Sequence, residues 1–118
     1  MRDVREIGFD PWGMEESRQL LEAEGLPMVE VSQTPSVMSP AVAHFERLVI
    51  QGKLRHPNNP ILSWNLANCC IRTVGATDQV ALDKRRSTGR IDGIASCCIA
   101  LTRLLAVESY YDAPVLWL

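Results

Sequence analysis

Two aspartates stand where a chain can bring acid to a common point. Asp10 closes a short β-prone run, and Asp92 opens the longest apolar run in the sequence. A magnesium ion takes a few hard oxygen ligands and keeps several waters, so two carboxylates delivered from a strand end and a helix start could hold Mg2+ or Mn2+. Two-metal phosphoryl chemistry asks for more, normally about three or four carboxylates around ions about 3.5–4 Å apart. Each acid also has a plainer reading. Asp10 fits equally well as a turn residue before Pro11, and Asp92 as a first-turn helix acid set against the helix dipole. Lys84, Arg85, Arg86 and Arg90 form a basic cluster just ahead of Asp92. They read either as a solvated loop or as cations beside a carboxylate site, which would suit contact with a phosphate backbone.

Other reactive types are less organised. His44 and His56 match no metal-ligand spacing, and His44 falls on a helical pattern as a half-exposed residue. The four cysteines form two adjacent pairs, Cys69-Cys70 and Cys97-Cys98, without the two-residue gap of a zinc or redox motif. Both pairs lie in apolar segments and read as reduced thiols in a core. There is no Gly-rich phosphate loop and no Ser/His/Asp elbow.

The elements that must position Asp10 and Asp92 follow from periodicity and punctuation. Residues 4–10 read as a strand stopped by Pro11 and Gly13. Residues 14–24 turn helical, with Met14, Ser17, Leu20, Leu21 and Ala23 on one side, Gly25 as the C′ residue and Pro27 as a stop. Residues 28–33 alternate as a second strand, which makes a βαβ unit with parallel strands. The ends of such strands are where α/β proteins place ligands. Residues 34–38 read as a loop, with Ser39 as N-cap and Pro40 at the first position of a helix that runs to Gly52. Residues 53–56 are a short extended piece, and Pro57-Asn58-Asn59-Pro60 is a turn. Residues 61–67 read as a helix with Trp64 inward, and residues 70–74 and 80–82 as two arms of a hairpin. The last helix runs from Arg90 to Val107, with Ile91, Ile94, Ala95, Cys98, Leu101, Leu104 and Leu105 on its core face.

Composition sets the frame. Residues 1–118 are the length of a single domain, with an apolar tail over residues 108–118 that would be sticky if exposed. Apolar residues make up 47% and charged residues 22%, so the chain can build a core. The formal net charge of -2 means that any DNA contact must come from a local patch. No apolar run is long enough to span a membrane, and charges at Arg2, Asp3, Arg5 and Glu6 break any signal core. A cytoplasmic location is expected.

An ordered set of segments carries a resemblance. It consists of Ile7-Gly8-Phe9-Asp10-Pro11-Trp12; Met38-Ser39-Pro40 with Phe45-Glu46-Arg47-Leu48; Leu54-Arg55-His56-Pro57-Asn58-Asn59-Pro60-Ile61-Leu62-Ser63-Trp64 with Asn68; Asp83-Lys84; and Ser87-Thr88-Gly89-Arg90-Ile91-Asp92-Gly93-Ile94-Ala95. Over residues 4–107 the chain resembles the C-terminal half of the nuclease domain of tailed-phage terminase large subunits. The resemblance implies a partial ribonuclease H-like α/β fold, in a phage or prophage protein of a bacterial host cell. It also implies metal-dependent cutting of concatemeric viral DNA during packaging, with double-stranded DNA and other terminase or portal components as partners. In the family, acids come from a first strand, a later strand end and a C-terminal helix. Asp10 matches the second and Asp92 the third. His56, Asn68 and Lys84 match recurrent positions to which the resemblance gives no role.

The sequence starts at Met1, just short of the second acid. The first-acid strand and the ATPase motor of the family are not in it. The expectation is a truncated gene product, an excised piece or one part of a split protein, weak or inactive by itself. The strand over residues 4–9 would then have an open edge. A second copy could cover that edge or the apolar tail as a two-fold dimer. Two alternatives stay open. One is a non-catalytic α/β interaction module that self-associates or binds a packaging partner. The other is an unrelated small α/β binding domain with Asp10 and Asp92 far apart.

Overall fold

The computed structural model describes residues 4–106 and the backbone of residues 116–117. The elements run β1 (Ile7–Phe9), α1 (Glu15–Ala23), β2 (Met28–Glu30), α2 (Pro35–Ile50), β3 (Leu54–Arg55), α3 (Pro60–Asn68), β4 (Ile71–Thr73), β5 (Val80–Leu82), α4 (Asp92–Leu104) and β6 (Leu116–Trp117). β1 and β2 are parallel, with Ile7 opposite Met28 and Phe9 opposite Glu30, so the expected βαβ unit is present. β4 and β5 form the expected antiparallel hairpin, Ile71 opposite Leu82. β3 pairs in parallel with β6. The expectation of a docked or sticky tail over residues 108–118 lies, apart from that pairing, outside the described residues. No helix among the described residues is long and apolar enough to cross a membrane.

Local chemistry explains the joints. α1 ends in a Schellman turn. Gly25 sits at φ +82 and its N–H donates to the Glu22 carbonyl, while the Leu26 N–H donates to Leu21. A positive φ at that position favours glycine. Asn59 caps α3, its Oδ1 accepting from the N–H groups of Ile61 and Leu62 ahead of Pro60. α1 itself departs from expectation. None of its residues is buried, and Leu20 is 64% exposed. Its surface is held instead by Arg18, which hydrogen-bonds Glu15 and Glu22 one turn either way.

The start of α2 also departs from expectation. The helix opens at Pro35 after Thr34, so Pro40 lies inside it and residues 35–38 are helical, not a loop. Thr34-Pro35 and Ser39-Pro40 both satisfy the local rule for a helix start. Tertiary contact decides between them, because the buried Ser39 hydroxyl accepts from the Val80 N–H at 2.9 Å and ties α2 to β5. Pro40 and Ser36 are exposed, which leaves the carbonyl freed by the proline to water.

The core lies between α2 and α4. Met38, Ala41, Val42, Phe45 and Leu48 from α2 meet Ile94, Cys98 and Leu101 from α4, with Val31 beyond β2. The cysteines are free thiols, and Cys98 is fully buried. Burial, with smaller contributions from Cys97 and Cys69, pushes its thiol up to about 12. The pH dependence follows from that direction. The fold favours the neutral thiol, so this stability is complete below the unfolded-state value, about 8.5. It is lost as pH rises from there toward the folded value, by up to about 1.4 kcal/mol per pH unit. Urea midpoints measured between pH 8 and 11 should therefore fall more steeply in the natural protein than in Cys98→Ala, which will be less stable at pH 7. Equal slopes would mean that this thiol is not held neutral by the fold.

Candidate functional site

β1 packs along α4, and the register between them sets the site. Near one end, the Glu6 carboxylate pairs with Arg103, with Nε to Oε2 at 2.6 Å. The guanidinium holds Glu6 below the usual carboxylate range. Two residues on, Gly8 lies against Ile99. Gly8 also lies against Cγ of Arg103, so β1 passes the Ile99–Arg103 turn of α4 with its Glu6 end at the tip of Arg103. The C-terminal end of β1, where Asp10 follows, lies on the side away from the Arg103 tip, in the direction of the N-terminal half of α4, whose first residue is Asp92. Asp10 is half-buried and its Oδ1 accepts the Trp12 N–H at 3.1 Å. The turn role read for Asp10 is thus present, and it leaves Oδ2 and the second lone pair of Oδ1 for another partner. Asp92 is exposed in the first turn of α4, as its plainer reading required.

Asp92 shares an open depression of about 630 Å³ with Arg90, Asn59, Asn65, Trp64 and Ile61. Here α3 is turned the opposite way from expectation. Trp64 is 51% exposed, whereas Asn65 and Asn68 are only 4% and 7% exposed. Those asparagines are buried because each is hydrogen-bonded to the segment that leads into α4. The Gly93 N–H donates to Asn65 Oδ1 at 2.6 Å, and Asn68 Nδ2 donates to the Arg90 carbonyl at 3.0 Å. Thr88 Oγ1 donates to Asn68 Oδ1 at 3.1 Å.

The sequence profile of the family described as "Terminase large subunit, endonuclease domain" matches residues 2–108. The chain belongs to the terminase large-subunit endonuclease family. The terminase large subunit of Enterobacteria phage HK97 is 34% identical over 104 residues, covering 84% of this chain and 20% of that protein. Protein YmfN of Escherichia coli (strain K12) is 28% identical over 106 residues, covering 89% and 23%. The crystal structure of the HK97 bacteriophage large terminase matches with a TM-score of 0.75 at 33% identity, covering 86% of this chain and 22% of that one. The fold is thus the mixed α/β, ribonuclease H-like fold of a terminase nuclease domain. The chain spans about a fifth of the length of these relatives.

In this terminase nuclease chain the basic residues divide between two places. Arg90 shares the depression with Asp92. Lys84, Arg85 and Arg86 line a separate one of about 700 Å³, together with Arg72, Leu82 and Asp83. Buried Asp83 shapes that turn, its Oδ1 accepting the N–H groups of Arg85 and Arg86. Arg72 escaped the sequence reading because it sits on the hairpin, 12 residues ahead of Lys84. Strand alternation at residues 71–73, with Arg72 between Ile71 and Thr73, was the available signal. Asn65 escaped because Trp64 beside it dominated the periodicity. His56 is exposed and its Nδ1 accepts the Asn58 N–H within the turn, while His44 contacts Arg47.

The donor set fits only part of the metal chemistry of a two-ion nuclease. Asp10 and Asp92 offer hard oxygens that suit one Mg2+ or Mn2+ with waters completing its shell. Among the described residues, no group of three or more His, Cys, Asp or Glu is placed to hold a metal ion.

Proposed function

We propose that residues 1–118 contribute Asp10 and Asp92 to the site of a divalent-metal-dependent endonuclease that cuts concatemeric double-stranded viral DNA during packaging. The observation that supports this reading is the antiparallel run of β1 along α4, which aims the strand end at Asp10 toward the helix start at Asp92. A Mg2+ or Mn2+ ion, when bound, would offset phosphate charge and make water a better nucleophile. The chain's own residues do the rest. Asp10 and Asp92 would hold the ion, and Arg90, in the same depression as Asp92, would meet a phosphate oxygen. Lys84, Arg85 and Arg86, joined by Arg72, grip the DNA backbone further along without reading its sequence. Other terminase or portal components are partners in the longer protein. A second copy could pair with the free edge of β1, which among the described residues has only β2 beside it.

As a separate 118-residue polypeptide, two acids bind an ion weakly, and cleavage is low or nil. A Mn2+ titration followed by NMR should broaden the Trp12 and Gly93 amide signals together at millimolar metal, and Asp92→Asn should remove the effect. No broadening at either amide sinks the metal reading. Clear plasmid cleavage with Mn2+ that Asp92→Ala abolishes would overturn the expectation of weak activity. A strictly monomeric light-scattering profile of the same samples at high concentration would remove the second copy.

A further inference from the structure

We propose that Asn65 is the positioning residue of Asp92, with Asn68 as its companion. Together they form a clamp from α3 that sets the conformation of residues 88–93. This inference rests on the reading of Asp92 as a metal-holding acid.

The argument starts from the start of α4. The first N–H groups of a helix have no partner inside it, and a side chain just ahead of the helix usually meets one of them. Here Ile91 occupies that place and makes no side-chain cap. The missing acceptor comes from another element. Asn65 Oδ1, 28 residues earlier, takes the Gly93 N–H at 2.6 Å. Asp92 lies one residue before that bond and at the first helical position, so the bond fixes the peptide plane next to its Cα. Asn68 holds the approach. Its Nδ2 donates to the Arg90 carbonyl, its Oδ1 accepts from the Thr88 hydroxyl, and its carbonyl accepts the Thr88 N–H at 3.3 Å.

Steric fit shows the same closeness. A Cβ on Gly89 would lie 2.7 Å from Asn68 Nδ2, and one on Gly93 would lie 2.8 Å from Asn65 Oδ1. A side chain at either glycine would push the clamping amide aside, and neither glycine has a positive φ that would explain it otherwise. The helix gives up ordinary burial for this. Trp64 is half-exposed while two amides are buried, an arrangement that core packing alone would reverse. Only the amide oxygen of Asn65 can accept from Gly93, and Asn65 lines the depression that holds Asp92 and Arg90.

The test separates positioning from simple stability. Amide exchange and Mn2+ binding would be measured for the natural protein, Asn65→Ala, the near-isosteric Asn65→Leu, Asn65→Asp and, as a control in the core of α2, Val42→Ala. In Asn65→Ala and Asn65→Leu, the amides of residues 92–95 should exchange at least tenfold faster than stability loss alone predicts. Those of the last turn of α4 should follow the global change. Asn65→Asp, which keeps the acceptor, should restore protection of Gly93. Mn2+ affinity should fall at least tenfold in Asn65→Leu and stay within twofold in Val42→Ala, even where Val42→Ala melts lower. Exchange that rises evenly along α4, or Mn2+ affinity unchanged in Asn65→Leu, would overturn the proposal. If the natural protein itself binds no Mn2+, the metal reading fails. The clamp is then decided by exchange and by the Asn65→Asp rescue alone, in either direction.

Discussion

Ile94→Ala should lower the free energy of unfolding by about 3–4 kcal/mol, the range for removing a large aliphatic side chain from a closed site. Ile94 is among the largest fully buried side chains and joins α4 to the α2 core. It also borders, with Phe45, Leu54 and Leu62, a hollow of about 240 Å³. Alanine would enlarge that hollow, and the loss of contact would not be recovered by simple collapse. Domains of this size have only about 5–15 kcal/mol in hand, so the variant stands near the limit of folding. Ser96→Ala, an exposed change two residues on and on the opposite side of the helix, should stay within about 0.5 kcal/mol. The comparison is a pair of urea melts. A loss under about 1 kcal/mol in Ile94→Ala would mean that α4 does not pack as described.

Gly8→Ala is expected to cost about 1–3 kcal/mol through overpacking. A Cβ there would lie 2.9 Å from Ile99 Cγ2 and 3.3 Å from Val31 Cγ2. Ile99 Cγ2 branches directly from Cβ, so it cannot swing away as a long side chain would. The strand must lift from the helix instead, and Asp10 lifts with it. Ile99→Leu removes that branch, so the double variant should recover part of the loss. The coupling between the two changes should exceed about 0.5 kcal/mol in a double-mutant cycle. Additive effects would show that β1 and α4 are not in contact at this point.

The parts of the fold visible in the sequence were those set by short-range chemistry. Pro11, Gly13, Gly25 and Pro27 punctuate β1, α1 and β2 closely, and the Schellman turn at Gly25 needs no partner beyond α1 itself. The spacing of Ile91, Ile94, Cys98 and Leu101 placed the core face of α4, because a helix that packs along its length shows its period. The misreadings fell where distant groups decide. Ser39 looked like a cap but serves Val80, 41 residues away. Trp64 looked inward-facing because an indole is apolar. No local rule announces that Asn65 and Asn68 have partners waiting at Gly93 and Arg90. α1 looked amphipathic, yet an apolar stripe reports only what a helix could bury. As for the candidate site, the two acids were placed at a strand end and a helix start. No local rule carries the course of β1 along α4, which is set by contacts of Glu6 and Gly8 with Arg103 and Ile99, more than 90 residues away.

The inside-out burial of α3 also bears on how the chain folds. A buried amide left without partners costs about 1–3 kcal/mol, so α3 gains little by docking before residues 88–93 arrive to meet Asn65 and Asn68. Those residues gain little by settling first, since their own donors then lack acceptors. The two segments are separated in sequence by the β4–β5 hairpin, whose closure entropy must be met before either is rewarded. α3, the hairpin and the start of α4 therefore belong to one cooperative unit, which opens and closes together rather than fraying piece by piece. A metal ion held at Asp92, as proposed above, would thus be bound by a part of the molecule that assembles as a whole.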